Sequence, residues 1–405
     1  MNGRNEVGNG GSGRNRTVVA LGILLTLLLL LLCGVGYFFI SILMPTGGQE
    51  PAVVSDGMTW VRSIYGFGPS QDEQMLGPTS VAVAPDGTIY VTDPQRARVL
   101  AFDPDGVFDG LIHTGAGGSG EGQLGRPNHV ACDSDGNVYI ADGLNAKVIV
   151  FDDGSQYMRE WPVPSVTGIE VVGDTLYARS MGEVIAYALD GTERSRFGER
   201  GRGNGPLLEP TGGLIGDGES VFVADSLNQA VKAFTAAGEH LWSQPPATVD
   251  ATASAEATGS ATGRPVDLPT DVALDADGDL YVIDAFSFQV LRLDPETGAI
   301  IGQWGRDGQK DGEFMYPSGI AYDPARDWFV IADTANNRVQ IVRIDGTGGG
   351  LRQTVGRTLS SPYRVCAIPL VALLGVMALL GLRRRRRRAD SGHEGEADIA
   401  VDYEE

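Results

Sequence analysis

The sequence predicts an all-β domain made of repeated four-stranded units, with one long apolar segment before it and another after it. A short strand that ends in aspartate recurs along the chain, and the spacing is 49 residues from Asp93 to Asp142 and again from Asp284 to Asp333. Apolar residues alternate with period two before each aspartate, and helical periodicity is absent from residues 45–364. A period of this length is typical of stacked units such as propeller blades.

Each unit begins with a predicted β-hairpin. In "PTSVAVAPDGTIYVTD" (78–93) and "PTDVALDADGDLYVID" (269–284), two alternating runs are joined by an Asp-Gly turn, which favours a hairpin. A third strand follows at a constant offset, because a valine lies six residues after each aspartate: Val99, Val148, Val231, Val290 and Val339. Another turn and an outer strand then complete four strands per unit.

Glycine-rich connectors of equal length separate the units. The segments 65–78, 114–127, 197–210 and 304–317 each have 14 residues, with Gly second and Pro last. Glycine allows turns with positive φ, and proline is tolerated at the start of a strand. One connector contains "GAGGSG" (115–120), which fits a dinucleotide-binding pattern, but that pattern requires a helix directly after it, and Pro127 with an extended run follows instead. We therefore interpret these glycines as structural.

These segments resemble the NHL repeats. The family pattern of glycine loop, hairpin and third strand is matched by "MYPSGIAYD" (315–323) and "FVIADTANNRVQIV" (329–342), and the resemblance covers about residues 58–345. It implies a six-bladed β-propeller of four-stranded antiparallel blades, with each innermost strand facing a central channel. The Gly-His and Trp-Asp marks of WD-type repeats are missing.

Two parts of the repeat depart from the pattern. The third unit (168–187) has Ser180 where the others have aspartate, and it lacks a glycine connector. Residues 243–267 are rich in Ala, Thr and Ser and poor in bulky apolar side chains, which predicts a mobile surface loop.

Ring closure is predicted to use the N-terminal strand. Residues 58–64 precede the first connector as an outer strand without a unit of its own, so we expect them to pair with residues 338–344 and complete blade six. The competing possibility is that residues 351–355 supply this strand and that 58–64 belong to a stalk.

The apolar segments predict two transmembrane helices, because 17–44 has 28 uncharged residues and 365–382 has 18, and about 20 suffice to cross a bilayer. The sequence thus divides into a tail (1–16), a span (17–44), a stalk (45–57), the propeller (58–345), a linker (346–364), a span (365–382) and a second tail (383–405). A cleaved signal peptide is the alternative for the first span, but the run is long and lacks an A-x-A-like site. The second span could instead be a sorting signal removed by a transpeptidase.

Charge sets the expected orientation. Arg4, Arg14 and Arg16 precede the first span and six arginines (383–388) follow the second, so the positive-inside rule places both tails in the cytoplasm and residues 45–364 outside. The expected location is the cell membrane, with two passes. The outer segment holds 22 Lys and Arg against 44 Asp and Glu, which disfavours nucleic acid as a partner. Cys132 is its single cysteine, so an intrachain disulfide is excluded there.

Few residues of the sequence suggest chemistry. The turns at 133–136 and 275–278 have a "DxDG" pattern, but glycine is fourth rather than sixth and a strand follows, so we expect hairpin turns and not calcium loops. The repeated aspartates are expected to bind the backbone of the next turn.

His129 and Asp271 begin innermost strands and are the candidate ligands at the channel mouth. Peptide-amidating lyases that resemble NHL propellers hold zinc with several histidines, whereas His129 has no histidine at the matching place in other units.

Two functions of different classes follow. The first is a non-catalytic binding or scaffold module that holds a protein or glycan outside the membrane; no catalytic residue, metal or other cofactor is expected. The second is a lactonase- or lyase-like enzyme with a metal in the channel, held by acidic and amide residues such as Asp271. Propellers host both classes, so the fold alone does not choose.

Overall fold

A computed structural model describes residues 53–55, 57–112, 117–202, 206–208, 213–245 and 265–347. These residues belong to one compact unit, Glu50–Gly349. The described residues contain no helix that is long and apolar enough to span a membrane, and the predicted spans 17–44 and 365–382 lie outside them, as do the two tails.

The strands form six antiparallel sheets within the described residues. The chain begins with β1 (Val53–Ser55) and β2 (Met58–Ile64). Blade one consists of β3 (Val81–Val83), β4 (Ile89–Asp93), β5 (Arg98–Phe102) and β6 (Phe108–Ile112). Blade two consists of β7 (Pro127–Cys132), β8 (Val138–Asp142), β9 (Lys147–Phe151) and β10 (Tyr157–Pro162). Blade three consists of β11 (Val166–Val172), β12 (Thr175–Ser180), β13 (Glu183–Ala188) and β14 (Glu193–Phe197).

The second half repeats this order. Blade four consists of β15 (Leu214–Gly216), β16 (Ser220–Asp225), β17 (Ala230–Thr235) and β18 (His240–Gln244). Blade five consists of β19 (Pro269–Leu274), β20 (Leu280–Asp284), β21 (Gln289–Leu293) and β22 (Ile300–Trp304). Blade six contains β23 (Gly319–Asp323), β24 (Trp328–Asp333) and β25 (Arg338–Ile344). Together these sheets are the six-bladed propeller that the repeat predicts.

The N-terminal strand closes the ring. β2 pairs antiparallel with β25, from Met58 opposite Ile344 to Ile64 opposite Val339, so the predicted closure is confirmed. β1 then pairs with β2 and adds a fifth strand at the outer edge of blade six. Residues 53–55 of the expected stalk are therefore part of this sheet.

Blade three is complete although its sequence departs from the repeat. All four of its strands are paired, and Ser180 Oγ donates a hydrogen bond of 2.5 Å to the carbonyl of Pro164. Of the loop expected at 243–267, Ser243 and Gln244 lie in β18, while Val266 and Asp267 are buried. Residues 246–264 lie outside the described residues.

The apolar core lies between blades, not inside a single layer. Six clusters of buried side chains each combine residues from two neighbouring blades, for example Ala131 and Tyr139 of blade two with Ile169 and Leu176 of blade three. Because both faces of each sheet are covered by the neighbours, stability comes from the closed ring.

The turns and connectors lie on two opposite faces of the propeller. The connectors and the turns after each second strand lie on one side, which we call the connector face; the Asp-Gly turns between first and second strands lie on the other, the hairpin face. At Gly66 of the first connector φ is +148°, and an added Cβ would lie 2.1 Å from the carbonyl oxygen of Glu73, so glycine is required there. On the hairpin face, Asp133 Oδ1 accepts hydrogen bonds from the backbone N–H of Asp135 and Asn137 at 3.0 and 2.9 Å. The turn at 133–136 is thus a hairpin turn, as expected.

Candidate functional site

A central channel runs along the innermost strands of the propeller. It encloses a cavity of about 130 Å³, lined by residues from all six inner strands. Five residues with polar or ionisable side chains line this cavity: His129 and Cys132 on β7, Glu170 on β11, Asp271 on β19 and Tyr322 on β23. The two residues that the sequence proposes as channel ligands therefore lie in the channel.

His129 and Asp271 meet across the channel. His129 Nε2 lies 3.5 Å from Asp271 Oδ1, and both side chains are buried. The Asp271 carboxylate also accepts hydrogen bonds from the backbone N–H of Val272 at 3.0 Å and of Ile320 at 2.9 Å. These two bonds hold the carboxylate in a single orientation between blades five and six. His129 Nδ1 is buried and has no hydrogen-bond partner in the described residues.

Gly213 makes room for this pair. A Cβ added at Gly213 would lie 1.7 Å from Asp271 Oδ1 and 3.0 Å from His129 Nε2. No real side chain tolerates such distances, so any larger residue at 213 must displace Asp271. Blade four thus leaves space for the two side chains because it has glycine at this position.

Glu170 is the second carboxylate in the channel. Burial, and then the negative charge of Asp271, raise the pKa of Glu170 to about 8. Both effects disfavour the ionised carboxylate. At neutral pH this group is therefore largely protonated and can donate a proton, whereas an ordinary glutamate is ionised.

Cys132 lies in the same cavity but is not activated. Burial, followed by the charges of Glu170 and Asp133, raises the pKa of the Cys132 thiol well above its usual range. Since the thiolate is the nucleophilic form, this environment disfavours nucleophilic chemistry at Cys132.

The channel supplies two side chains that could ligate a metal together. His129 and Asp271 are close enough, but no group of three His, Cys, Asp or Glu residues among those described is placed to hold a metal ion. A catalytic zinc site generally uses three protein ligands. The described residues thus do not fit a catalytic zinc, and the chemistry that they offer is proton transfer.

The sequence indicates two of these five side chains. His129 and Asp271 occupy matching places at the start of inner strands, which was a usable signal. Glu170, Cys132 and Tyr322 were not predicted as channel residues. Glu170 lies in the divergent third unit. Only a residue-by-residue alignment of the inner strands could have indicated that Glu170 and Cys132 line the channel.

The repeated aspartates have a structural function that goes beyond the expected one. Asp142 accepts hydrogen bonds from the backbone N–H of Gly125 at 2.6 Å and Arg126 at 2.8 Å. Asp284 accepts two from Asp267 and Leu268, both at 2.9 Å. These donors precede the inner strand of the same blade. Asp142 also accepts the expected hydrogen bond from the next turn, from the backbone N–H of Asn145 at 3.2 Å, so the expectation holds there but omits the contacts to the connector. The connector leaves one sheet before it joins the next, and its backbone N–H groups need these acceptors.

The connector face carries exposed apolar side chains at related places. Leu144, Leu227 and Phe286 each lie two residues after a repeated aspartate, and Met181 follows Ser180. With Tyr316 of the last connector, these five side chains are 48% to 70% exposed. The Phe286 and Tyr316 rings are in edge-to-face contact, with centroids 6.1 Å apart. We call these five residues the apolar set.

Comparisons with known proteins support the fold. No protein-family model matches the sequence, and no curated protein matches it. The propeller is similar to a solved structure of unknown function from Bacteroides thetaiotaomicron, with 16% identity over 71% of this chain and 76% of that chain and a TM-score of 0.53. It is also similar to an auxiliary nutrient binding protein from Bacteroides thetaiotaomicron, with 15% identity over 71% of this chain and 73% of that chain and a TM-score of 0.50.

A more distant likeness is to the virginiamycin B lyase from Staphylococcus aureus, with 14% identity over 66% of this chain and 95% of that chain and a TM-score of 0.44. Identities this low establish a shared architecture and nothing about ligands. The chain is therefore a six-bladed β-propeller of four-stranded antiparallel blades.

Proposed function

We propose that this protein is a membrane-anchored, extracytoplasmic propeller of the NHL type that acts as a non-catalytic binding or scaffold module for a protein or glycan ligand. The apolar set on the connector face is the observation that carries the proposal. Exposed apolar side chains recur at related places on one face of the ring, and two of them, Phe286 and Tyr316, are in contact; contiguous apolar surface of this kind marks interaction sites. An auxiliary nutrient binding protein with a similar fold shows that this architecture is compatible with a binding role.

A protein ligand suits the apolar set better than a glycan does. Leu144, Met181 and Leu227 are aliphatic and offer nothing to sugar hydroxyl groups, whereas aliphatic and aromatic side chains together are typical of the centre of a protein interface. Phe286 and Tyr316 could also stack on a sugar ring. The glycan ligand therefore stays as the second possibility for the same face.

Site-specific crosslinking in intact cells tests the binding proposal. A photoreactive phenylalanine at Phe286 is expected to give a discrete adduct, and a second change, Leu227→Asp, is expected to abolish it. The same residue placed at Ile301, an exposed apolar residue on β22, is the matched control. Equal labelling at 286 and 301, or an adduct unaffected by Leu227→Asp, would contradict the proposal.

Membrane anchoring is supported by the two long apolar segments and the arginines beside them. The propeller itself begins and ends in blade six, since β1, β2 and β25 share one sheet. Cysteine labelling of intact cells tests the topology: a membrane-impermeant reagent should modify Ser254→Cys but not Ser391→Cys. The reverse pattern would refute the proposed orientation.

The second candidate is a lactonase- or lyase-like enzyme with its site in the channel. The observation that favours it is Glu170, whose raised pKa suits proton transfer near neutral pH beside His129 and Asp271. The metal-dependent form of this proposal requires a ligand in addition to His129 and Asp271. Metal analysis of the purified full-length chain discriminates the two functions, because a stoichiometric metal that is lost in His129→Ala would favour the enzyme.

A further inference from the structure

A second cavity lies on the hairpin face, away from the channel and from the apolar set. It has a volume of about 230 Å³ and lies between blades one and two. Its rim carries four exposed aspartates, Asp86, Asp109, Asp135 and Asp153, and none of the described residues that line it is basic. We call this cavity the acidic pocket.

Tyr90 reaches the acidic pocket from the core. The side chain is 5% exposed, and its hydroxyl has no hydrogen-bond partner among the described residues. In blade two the equivalent tyrosine has a partner, because the Tyr139 hydroxyl donates a hydrogen bond of 3.0 Å to Asp133 Oδ2. Ala84 occupies the place of Asp133 in blade one, and Ala84 lines the pocket. The alanine thus both opens the cavity and leaves the tyrosine hydroxyl without its usual partner.

The charges near Tyr90 are all negative. Burial raises the pKa of Tyr90, and the charges of Cys132, Asp86, Asp109 and Asp153 raise it further, in that order. The phenol therefore stays protonated, and its oxygen can accept a hydrogen bond as well as donate one. The Asp86 carboxylate accepts two hydrogen bonds from Thr88, one from its backbone N–H at 2.9 Å and one from its hydroxyl at 3.0 Å. Asp109 and Asp153 form no ion pair with any described residue.

A cleft lined by one sign of charge attracts the opposite sign. The described residues contain no group of three acidic, histidine or cysteine side chains placed to hold a metal ion, so the four aspartates are too dispersed for a small cation. The volume instead accommodates a cation that spreads its charge and its hydrogen-bond donors over several ångströms, as guanidinium and alkylammonium groups do.

We propose that the acidic pocket binds an organic cation, a guanidinium or alkylammonium group, with Tyr90 Oη accepting a hydrogen bond at its base and Asp109 and Asp153 neutralising the charge at its rim. The group comes either from a free polyamine-type molecule or from an Arg or Lys side chain of a peptide. This site goes beyond the proposed function, because it lies on the opposite face from the apolar set and does not depend on any ligand there.

Calorimetric titration of the purified full-length chain tests the proposal with two compounds, agmatine and the peptide acetyl-Gly-Arg-Gly-amide. We expect saturable 1:1 binding of at least one. Asp109→Asn with Asp153→Asn should weaken it by about tenfold or more, and Tyr90→Phe by about fivefold, because hydrogen bonds to charged groups are the stronger class. Binding of agmatine identifies a free cation as sufficient, and binding of the peptide alone identifies a basic side chain.

Matched controls come from other blades. Tyr139→Phe removes a hydroxyl that is already bonded to Asp133. Asp277→Asn changes an aspartate of blade five at the position that Asp86 occupies in blade one. Both should leave the dissociation constant within about twofold. Absence of saturable binding for both compounds overturns the proposal, as does an effect of the controls equal to that of the pocket variants. The rim variants are surface changes, so misfolding cannot account for their result.

Discussion

Met58, the first residue of β2, lies opposite Ile344, the last residue of β25. Both are fully buried and belong to the apolar cluster between blades five and six. The N-terminal strand is therefore a core element of the last blade, and the edge that an open ring would expose is paired.

Deleting residues 53–64 should destabilise the whole propeller, because it removes β1 and β2 and uncovers β25. We expect the melting temperature to fall by more than about 5 °C, or folding to fail. Circular dichroism during heating measures this. Deletion of residues 246–262 is the control and should shift the melting temperature by less than about 5 °C, since loop length has only a small entropic effect. A shift of less than about 5 °C for both variants would mean that residues 53–64 are dispensable.

Asp333→Ala should be among the most destabilising single substitutions. Asp333 is fully buried and accepts hydrogen bonds from Met315 N–H at 2.7 Å and from Arg338 Nε at 2.8 Å. Arg338 is itself 1% exposed, so the alanine removes its buried carboxylate and leaves only the half-exposed Asp311 at 3.5 Å; breaking a buried ion pair typically costs roughly 3–5 kcal/mol. Urea unfolding gives the free energy. Asp72→Ala, an exposed aspartate on the first connector, should stay within about 0.5 kcal/mol, and a similarly small loss for Asp333→Ala would refute the structural role.

Gly213→Ala should disturb the channel pair. The new Cβ cannot coexist with Asp271 Oδ1 at 1.7 Å, so either the carboxylate or the backbone of blade four has to move. Overpacking of this kind costs about 1–3 kcal/mol, measurable by urea unfolding. Gly110→Ala is the control, because nothing lies within 4 Å of a Cβ there. The displacement is directly visible as a change in the NMR signals of the His129 ring, and an unchanged ring environment would contradict the described geometry.

Stability should depend on pH through Glu170. The pKa of Glu170 is about 8 in the folded channel, whereas a glutamate exposed to water, as in the unfolded chain, has a pKa of 4.5. Between these two pH values the folded protein binds a proton that the unfolded chain does not. The free energy of unfolding therefore falls as the pH rises through this window. In Glu170→Gln this contribution disappears, and the difference in stability between about pH 5 and pH 8 should become smaller. Glu219→Gln, an exposed glutamate, should behave like the parent protein. If Glu170→Gln retains the full pH dependence, Glu170 is ionised at neutral pH.

The repeat architecture could be predicted from local sequence because each blade encodes its own strands and turns. Alternating apolar residues, Asp-Gly turns and a constant offset to the third strand define four strands without knowledge of the neighbours. Closure by residues 58–64 was predictable for the same reason, since an outer strand without a blade and a blade without an outer strand complement each other.

The contact of the repeated aspartates with the connector was not predictable from local sequence. Asp142 accepts from Gly125 and Arg126 because β7 and β8 run antiparallel and return the end of β8 to the connector. The turn after Asp142 is nearer in sequence, but the connector has more backbone donors that would otherwise be unpaired. Sequence proximity therefore indicates the contact with Asn145 in the next turn but not the contacts with the connector.

By itself, the sequence determined the all-β repeat, the number of strands in most blades and the two residues that begin inner strands, His129 and Asp271. Only the tertiary structure decided that these two side chains lie 3.5 Å apart, that Glu170 shares their cavity, and that Ala84 leaves Tyr90 facing a pocket between blades. The physical reason is that a strand and its turn are stabilised by neighbours along the chain, whereas a site in a propeller is made by side chains from different blades. Their distances and pKa values depend on how the closed ring packs.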